Sequence, residues 1–302
     1  MTTVFRRGRH WDRRSGIVRW LFVLAGIGLH GVAVPVVAQS PESAVAKGRR
    51  WAVILVGLPG DEAHAELFRG TADTWQTWLT DTLDVPTEQV LRWPDQPTQQ
   101  LTADAIRSGF AELSRKLKPD DCLWVFTLGH GNYDGKQSWF HVAGKDPSAE
   151  DFGRWLSDVR CREQVIWATQ QNSGWFVKPL SRPGRIVIAA TAADDESNET
   201  EFPHALATMM QSPIAKLDLD HDDKVSVAEL FTAASRETLH RFQQDKRLPT
   251  EHPQLDDNGD GVGTEELFPK PSDDPAAKPN PNAKIDGALA KKTFLPWTSK
   301  KE

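Results

Sequence analysis

Four apolar runs punctuate the first two thirds of the chain: "WAVILVGL" (51–58), "CLWVFTLG" (122–129), "QVIWATQ" (164–170) and "RIVIAATA" (185–192). They are continuous rather than alternating, the pattern of strands buried on both faces. A shorter run, "QVLRW" (89–93), lies between the first two. The intervening segments have helical period. Apolar positions fall at Leu67, Phe68, Ala72, Trp75, Leu79 and Leu83 in 62–83, at Ile106, Phe110, Leu113 and Leu117 in 103–117, and at Phe152, Trp155, Leu156 and Val159 in 150–159. Alternating β and α with buried strands predicts an α/β fold: a mostly parallel sheet with helices on both faces, three layers in all. In such folds chemistry gathers beyond the carboxyl ends of the strands. The polar stretches "LPGD", "GHGN", "QNSG" and "TAADDE" stand at those ends.

The pattern also divides the chain. Residues 51–215 read as the α/β domain, and from about 216 short acidic loops flank a helix predicted over 227–243. Residues 216–268 are expected to pack on the α/β domain. After Phe268 comes "PKPSDDPAAKPNPNAK", with too little apolar surface to fold alone. The tail 269–302 therefore reads as largely disordered, although its end, "IDGALAKKTFLPW", has the residues to pack back onto the body.

The N-terminus changes the electrostatic picture. Six arginines and one acid precede "WLFVLAGIGLHGVAVPVV", and small residues follow, the layout of a signal peptide (1–38) cleaved after Ala38, with 39–50 as a linker. Cleavage implies a periplasmic or secreted protein; retention implies an inner-membrane anchor, the one route to a membrane. The chain carries −6 and the segment +5 (six arginines against Asp12), so the remainder carries about −11. No basic stripe is left for nucleic acid.

The second of the four runs leads into His130 and Gly131. By itself this is a strand end with a turn-forming glycine, or a general base presented at a strand tip. Its surroundings favour the second reading. "TLGHG", "VIWATQQNSG" and "RIVIAATAADDESNETEFPHAL", in that order, resemble the caspase and legumain group of cysteine peptidases over about half the chain (51–210). The resemblance implies a caspase-like α/β/α sandwich, His130 as the base, and Gly131 as an oxyanion-hole donor. Counted back from Ser173 and Gly174, the nucleophile position falls on Gln171. An amide is not a nucleophile, so no acyl-enzyme forms there. The expected function is an exported calcium-binding pseudopeptidase that holds a peptide or protein ligand. Two alternatives stand beside it: a hydrolase using His130 with an oxygen nucleophile such as Ser173, and a purely structural calcium-binding scaffold.

If the strands ending in His130 and Gln171 are neighbours, as the resemblance implies, Cys122 and Cys161 lie together at their amino ends. A disulfide is then expected; the alternative is two buried thiols. At the carboxyl end, Asp194, Asp195 and Glu196, with Glu199 and Glu201 beyond them, form either a pocket for a basic group or a solvated loop. Trp139, Trp167 and Trp175 line a cleft or belong to the core.

The acidic loops carry the cofactor expectation, Ca2+. "DLDHDDKVSVAE" (218–229) matches the twelve-residue EF-hand loop. Asp218, Asp220 and Asp222 stand at positions 1, 3 and 5, Lys224 offers a carbonyl at 7, Ser226 stands at 9, and Glu229 closes at 12. Position 6 is Asp223 instead of glycine. Ser226 and Glu229 also form a helix capping box, but a cap does not explain three alternating aspartates. "DDNGDGVGTEEL" (256–267) matches less fully: Asp256, Asn258, Asp260 and Val262 fall at 1, 3, 5 and 7, but position 12 is Leu267. An Asx/Gly turn explains it equally well. The spacing of the two loops suggests a joint site, and Pro213 in the entering helix suggests a structural one.

Overall fold

The computed structural model describes residues 48–96, 98–268 and 286–296. The expected signal peptide (1–38), nearly all of the linker and most of the proline-rich tail lie outside the described residues.

The elements run β1 (Arg50–Val56), α1 (Glu62–Thr77), β2 (Val90–Trp93), α2 (Ala103–Lys116), β3 (Cys122–Leu128), β4 (Gly131–Tyr133), β5 (Ser138–Phe140), α3 (Ala149–Ser157), β6 (Glu163–Ala168), α4 (Gly174–Leu180), β7 (Arg185–Ala189), α5 (Phe202–Met210), α6 (Ile214–Leu217), β8 (Val225–Ser226), α7 (Val227–Gln244), β9 (Gln254–Asp256) and β10 (Phe294–Leu295). Local chemistry sets the helix starts. Asp61 caps α1, Thr102 caps α2, and reciprocal capping boxes open α3 (Ser148 with Asp151) and α7 (Ser226 with Glu229).

The main sheet has the order β2-β1-β3-β6-β7-β9. Its first five strands are parallel, and β9 joins the edge antiparallel to β7. Strand alternation separates two cores. Ala52, Ile54, Trp124, Phe126, Val165 and Trp167 face α1, α5 and α7, while Val53, Leu55, Leu123, Val125 and Ile166 face α2, α3 and α4. The fold is thus a three-layer α/β/α sandwich with a mostly parallel sheet. Trp167 belongs to its core, stacked on Phe126 at 6.1 Å between ring centres. The chain leaves β1 for β2 on one side and returns to β3 on the other. That reversal opens a crevice beyond the carboxyl ends of β1 and β3, where open α/β sheets bind ligands.

Three expectations change. Residues 216–268 are not merely packed on the α/β body: they supply β9 to its sheet and α7 to one of its layers. The end of the tail is ordered over 286–296, where β10 pairs antiparallel with β8. The disulfide is absent, and Cys122 and Cys161 are free thiols. The register explains it: Cys122 lies opposite Glu163 in β6, so Cys161 falls in the turn two residues earlier. Cys122 Sγ accepts from Arg162 Nη2 at 2.8 Å, and Cys161 Sγ donates to the Glu163 carbonyl at 3.3 Å. Burial pushes both thiols up.

Candidate functional site

His130 leaves the end of β3 just after Gly129, whose φ of +153° lets β1 and β3 close on one another. A Cβ at Gly129 would stand 3.1 Å from Gly57 Cα. The imidazole Nε2 lies 3.1 Å from the carbonyl oxygen of Pro59, beyond β1. A carbonyl only accepts, so Nε2 carries the proton and the Nδ1 lone pair is directed elsewhere. It meets Gln171: Nε2 of that amide donates to His130 Nδ1 at 3.1 Å. The other end of the same amide, Oε1, accepts from the Gly131 N–H at 3.0 Å. One side chain therefore occupies both the lone pair of the histidine and the backbone donor beside it. Gly131 is required there, because a Cβ would lie within 2.8 Å of Gln171 O and Gln170 Cγ. The space left among Phe68, His130, Gln171, Glu199 and His204 is about 10 Å³, about the least that holds one water.

Ser173 is not part of this cluster. It is fully buried, and its hydroxyl accepts from the N–H groups of Ala190 and Thr191 at 2.9 and 3.3 Å, tying the start of α4 to the end of β7.

Over the rim, His64 bridges two carboxylates, Nδ1 to Asp61 at 2.8 Å and Nε2 to Glu199 at 3.0 Å, with its ring edge-on to His130. The hydrogen bonds to Asp61 and Glu199 raise its pKa. Sequence patterning gave no sign of His64 or of the Pro59 carbonyl, although "LPGD" stood at the expected strand end. Beside them a cleft of about 550 Å³ runs over the ends of β1 and β2, lined among others by Leu58, Pro59, Phe68, Arg69 and Arg92. Pro59 and Phe68 are common to the cleft and the histidine site.

The residues of the acidic stretch are divided between the interior and the surface. Glu196 is buried and accepts from the N–H groups of Ala192 and His252 and from the His252 ring, so it ties two loops together. Asp194 and Asp195 are exposed. Burial pushes the nearby Glu251 carboxyl up to about 8, although it accepts from the N–H groups of Glu201 and Phe202 at the start of α5. Trp175 stacks on Tyr133 at 4.2 Å on the rim, and Trp139 donates to Asp134.

The first acidic loop brings Asp218, Asp220 and Asp222 together, with one carboxylate oxygen of each within 4.8 Å of the others. His221 and Asp223 take left-handed φ values of 62° and 63°, which turn the alternate side chains inward. Lys224 Nζ, 3.6 Å from Asp222, is a counter-charge on the flank. Like charges this close repel by just under ~1 kcal/mol per pair even at the dielectric of water. Hard oxygen donors whose charge one lysine only partly offsets suit a hard divalent cation. Glu229 is not brought to the trio. Its carboxylate accepts from the N–H of Leu219 and from both the N–H and hydroxyl of Ser226. The entering helix is a single turn, α6, opened by Pro213.

The second loop repeats the backbone, with Gly259 and Gly261 at φ 80° and 79° in the places of His221 and Asp223. Asp256 accepts from Gly259 and Gly261, Asn258 from Asp260, and Asp260 from Val262. Leu267, at the closing position, is buried in the core. The loops do not pair with one another: Val225 of the first bonds to Leu295, while Leu255, just before the second, bridges to Thr264 inside it.

No protein-family model matches this chain, and no curated protein matches it in sequence. No helix among the described residues is long and apolar enough to cross a membrane.

Proposed function

We propose that this protein is a calcium-binding pseudopeptidase of caspase and legumain type, which holds peptide or protein segments without cleaving them. The observation that carries the reading is the double engagement of Gln171. Its amide takes the His130 Nδ1 lone pair, which a nucleophile would need as its base, and the Gly131 N–H, which an oxyanion would need as its donor. A thiol at position 171 would stand where the base is directed; an amide there fills the same space and forms no acyl-enzyme. The 550 Å³ cleft beside Pro59 and Phe68 is of ligand size and lies beside the crevice where the strand order reverses. The basic and then apolar opening of the sequence supports export, and abundant extracellular calcium suits an acidic loop of modest affinity.

The test is hydrolysis of a mixed peptide library, with calcium, by wild type, His130→Ala, Gln171→Cys, and Gln171→Cys combined with His130→Ala. Wild type is expected to be silent, the single variant to cleave, and the double variant to fall silent again. Cleavage by wild type that disappears in His130→Ala would establish an active hydrolase with another nucleophile. Silence of Gln171→Cys would withdraw the assignment of position 171.

A further inference from the structure

The amino end of the sheet, remote from His130, holds a second cavity. It measures about 380 Å³ and lies between the turns that lead into β6 and β7. Arg160, Arg162, Arg182 and Arg185 line it, with Cys161 and Gln164, and no acidic side chain among the described residues does. In a chain of net charge −6 this concentration of cations is against the trend.

Arg185 is the central observation. It opens β7 and is only 2% exposed. Its Nε donates to Gln164 Oε1 at 2.9 Å and its Nη1 to the Leu180 carbonyl at 2.6 Å. Nη2 is buried with no hydrogen-bond partner among the described residues. Gln164 is itself fixed by donating to the Leu156 and Val159 carbonyls, so the guanidinium is held in place by neutral groups alone. Burial, with Arg182 next in effect, lowers its pKa to about 9, which leaves it cationic at neutral pH. Arg160 and Arg182 are exposed, and Arg162 is engaged with Cys122. A buried cation without a counter-ion is costly, and an anion that meets it removes that cost.

We propose that this cavity binds a tetrahedral oxyanion, a phosphate or sulfate group carried on a small organic molecule. Guanidinium forks match such oxygens in pairs, and the volume exceeds what one inorganic ion fills.

The test is calorimetric titration of the full chain with inorganic phosphate, sulfate, phenyl phosphate and phenyl sulfate, each against chloride at matched ionic strength. Saturable binding is expected, with the phenyl esters tighter than the bare ions. Preference within each pair tells phosphate from sulfate. Arg160→Ala with Arg182→Ala is expected to weaken binding at least tenfold, while Arg107→Ala, on the exposed face of α2, leaves it unchanged. Alkylation of Cys161, which lines the cavity, should slow at least threefold when the ester is bound. Binding that is absent, or unaffected by the double substitution at exposed positions, overturns the proposal.

Discussion

The two acidic loops share one backbone and are closed by different means. In the first, Glu229 at the twelfth position accepts from the N–H of the second residue, Leu219, and from the hydroxyl of the ninth, Ser226. In the second the twelfth residue is Leu267, yet the same two donors are satisfied. Asp286, from beyond the proline-rich tract, accepts from the Asp257 N–H at 3.2 Å and the Thr264 hydroxyl at 2.6 Å. A carboxylate distant in sequence has taken the hydrogen-bonding place of the missing local one. Burial pushes that carboxyl up to about 6, with Asp256 and Asp257 adding to the effect. Asp257 completes the exchange. Buried at the second position, where the first loop has Leu219, its carboxylate accepts from the N–H groups of Gly287, Leu289 and Ala290. The first loop keeps three carboxylates close to one another; the second uses Asp257 to hold the end of the chain.

The largest effect is therefore expected at Asp257. Asp257→Ala leaves three backbone donors without their acceptor, at roughly 1–3 kcal/mol for each that stays buried. The segment 286–296 escapes part of that cost by leaving the body, so the change is local before it is global. Hydrogen exchange at Gly287, Leu289 and Ala290 should rise at least a hundredfold, and β10 should release β8. Unchanged protection at those amides would mean that the apolar contacts of Ala290 and Leu295 alone hold the segment, and the contrast between the loops would lose its basis.

The difference between the loops also marks what the sequence discloses. The parallel strands were legible because burial on both faces leaves unbroken apolar runs, and the helices because their apolar period is intact. His130 and Gln171 were paired through the resemblance, by counting back from Ser173 and Gly174, and the strand order β3-β6 brings their ends together. The strand β9 could not: "QLD" offers one apolar residue, and its pairing depends on the exposed edge of β7. The tail was legible only in part: the apolar residues of "IDGALAKKTFLPW" allow it to pack back, but its anchorage was hidden, since Asp257 and Asp286 are 29 residues apart in sequence and neither resembles a partner of the other. The Pro59 carbonyl has no side-chain signature at all. The arginine cavity was hidden for a related reason, because its cations come from two separate turns, 160–162 and 182–185, and form no basic run.

If the proposed calcium site holds, calcium is expected to give the next largest effect and to separate the loops by chemistry. A cation that binds only the folded protein stabilises it by about 2.7 kcal/mol at a hundredfold excess over its Kd. Asp220 is the useful position, because its carboxylate is exposed and joins the aspartate trio. Asp220→Ala is expected to leave the calcium-free melting temperature the same or slightly higher, through relief of like-charge repulsion. The rise on adding calcium should fall to less than half of the wild-type value. Asn258→Ala, at the matching position of the second loop, should retain most of that rise. If Asn258→Ala abolishes it and Asp220→Ala does not, the roles of the two loops are reversed.

The smallest effect lies at the sixth position, where one backbone conformation carries two different residues. Asp223 and Gly261 have φ values of 63° and 79°. A left-handed conformation costs an ordinary L-residue roughly 1–2 kcal/mol, and aspartate somewhat less. Asp223→Gly removes that strain but frees the unfolded chain, so the two changes oppose one another and the net gain should stay below about 0.5 kcal/mol. Gly261→Ala reverses both changes, introducing the strain while restricting the unfolded chain. It also sets a Cβ 3.2 Å from Lys178 Cγ, so a net loss of about 1 kcal/mol is expected by urea unfolding. Equal and opposite changes at the two sites would show that the backbone alone governs both loops. A loss at Gly261 well above the gain at Asp223 would show that the second loop is also held by its packing against α4, as its part in anchoring the chain end requires.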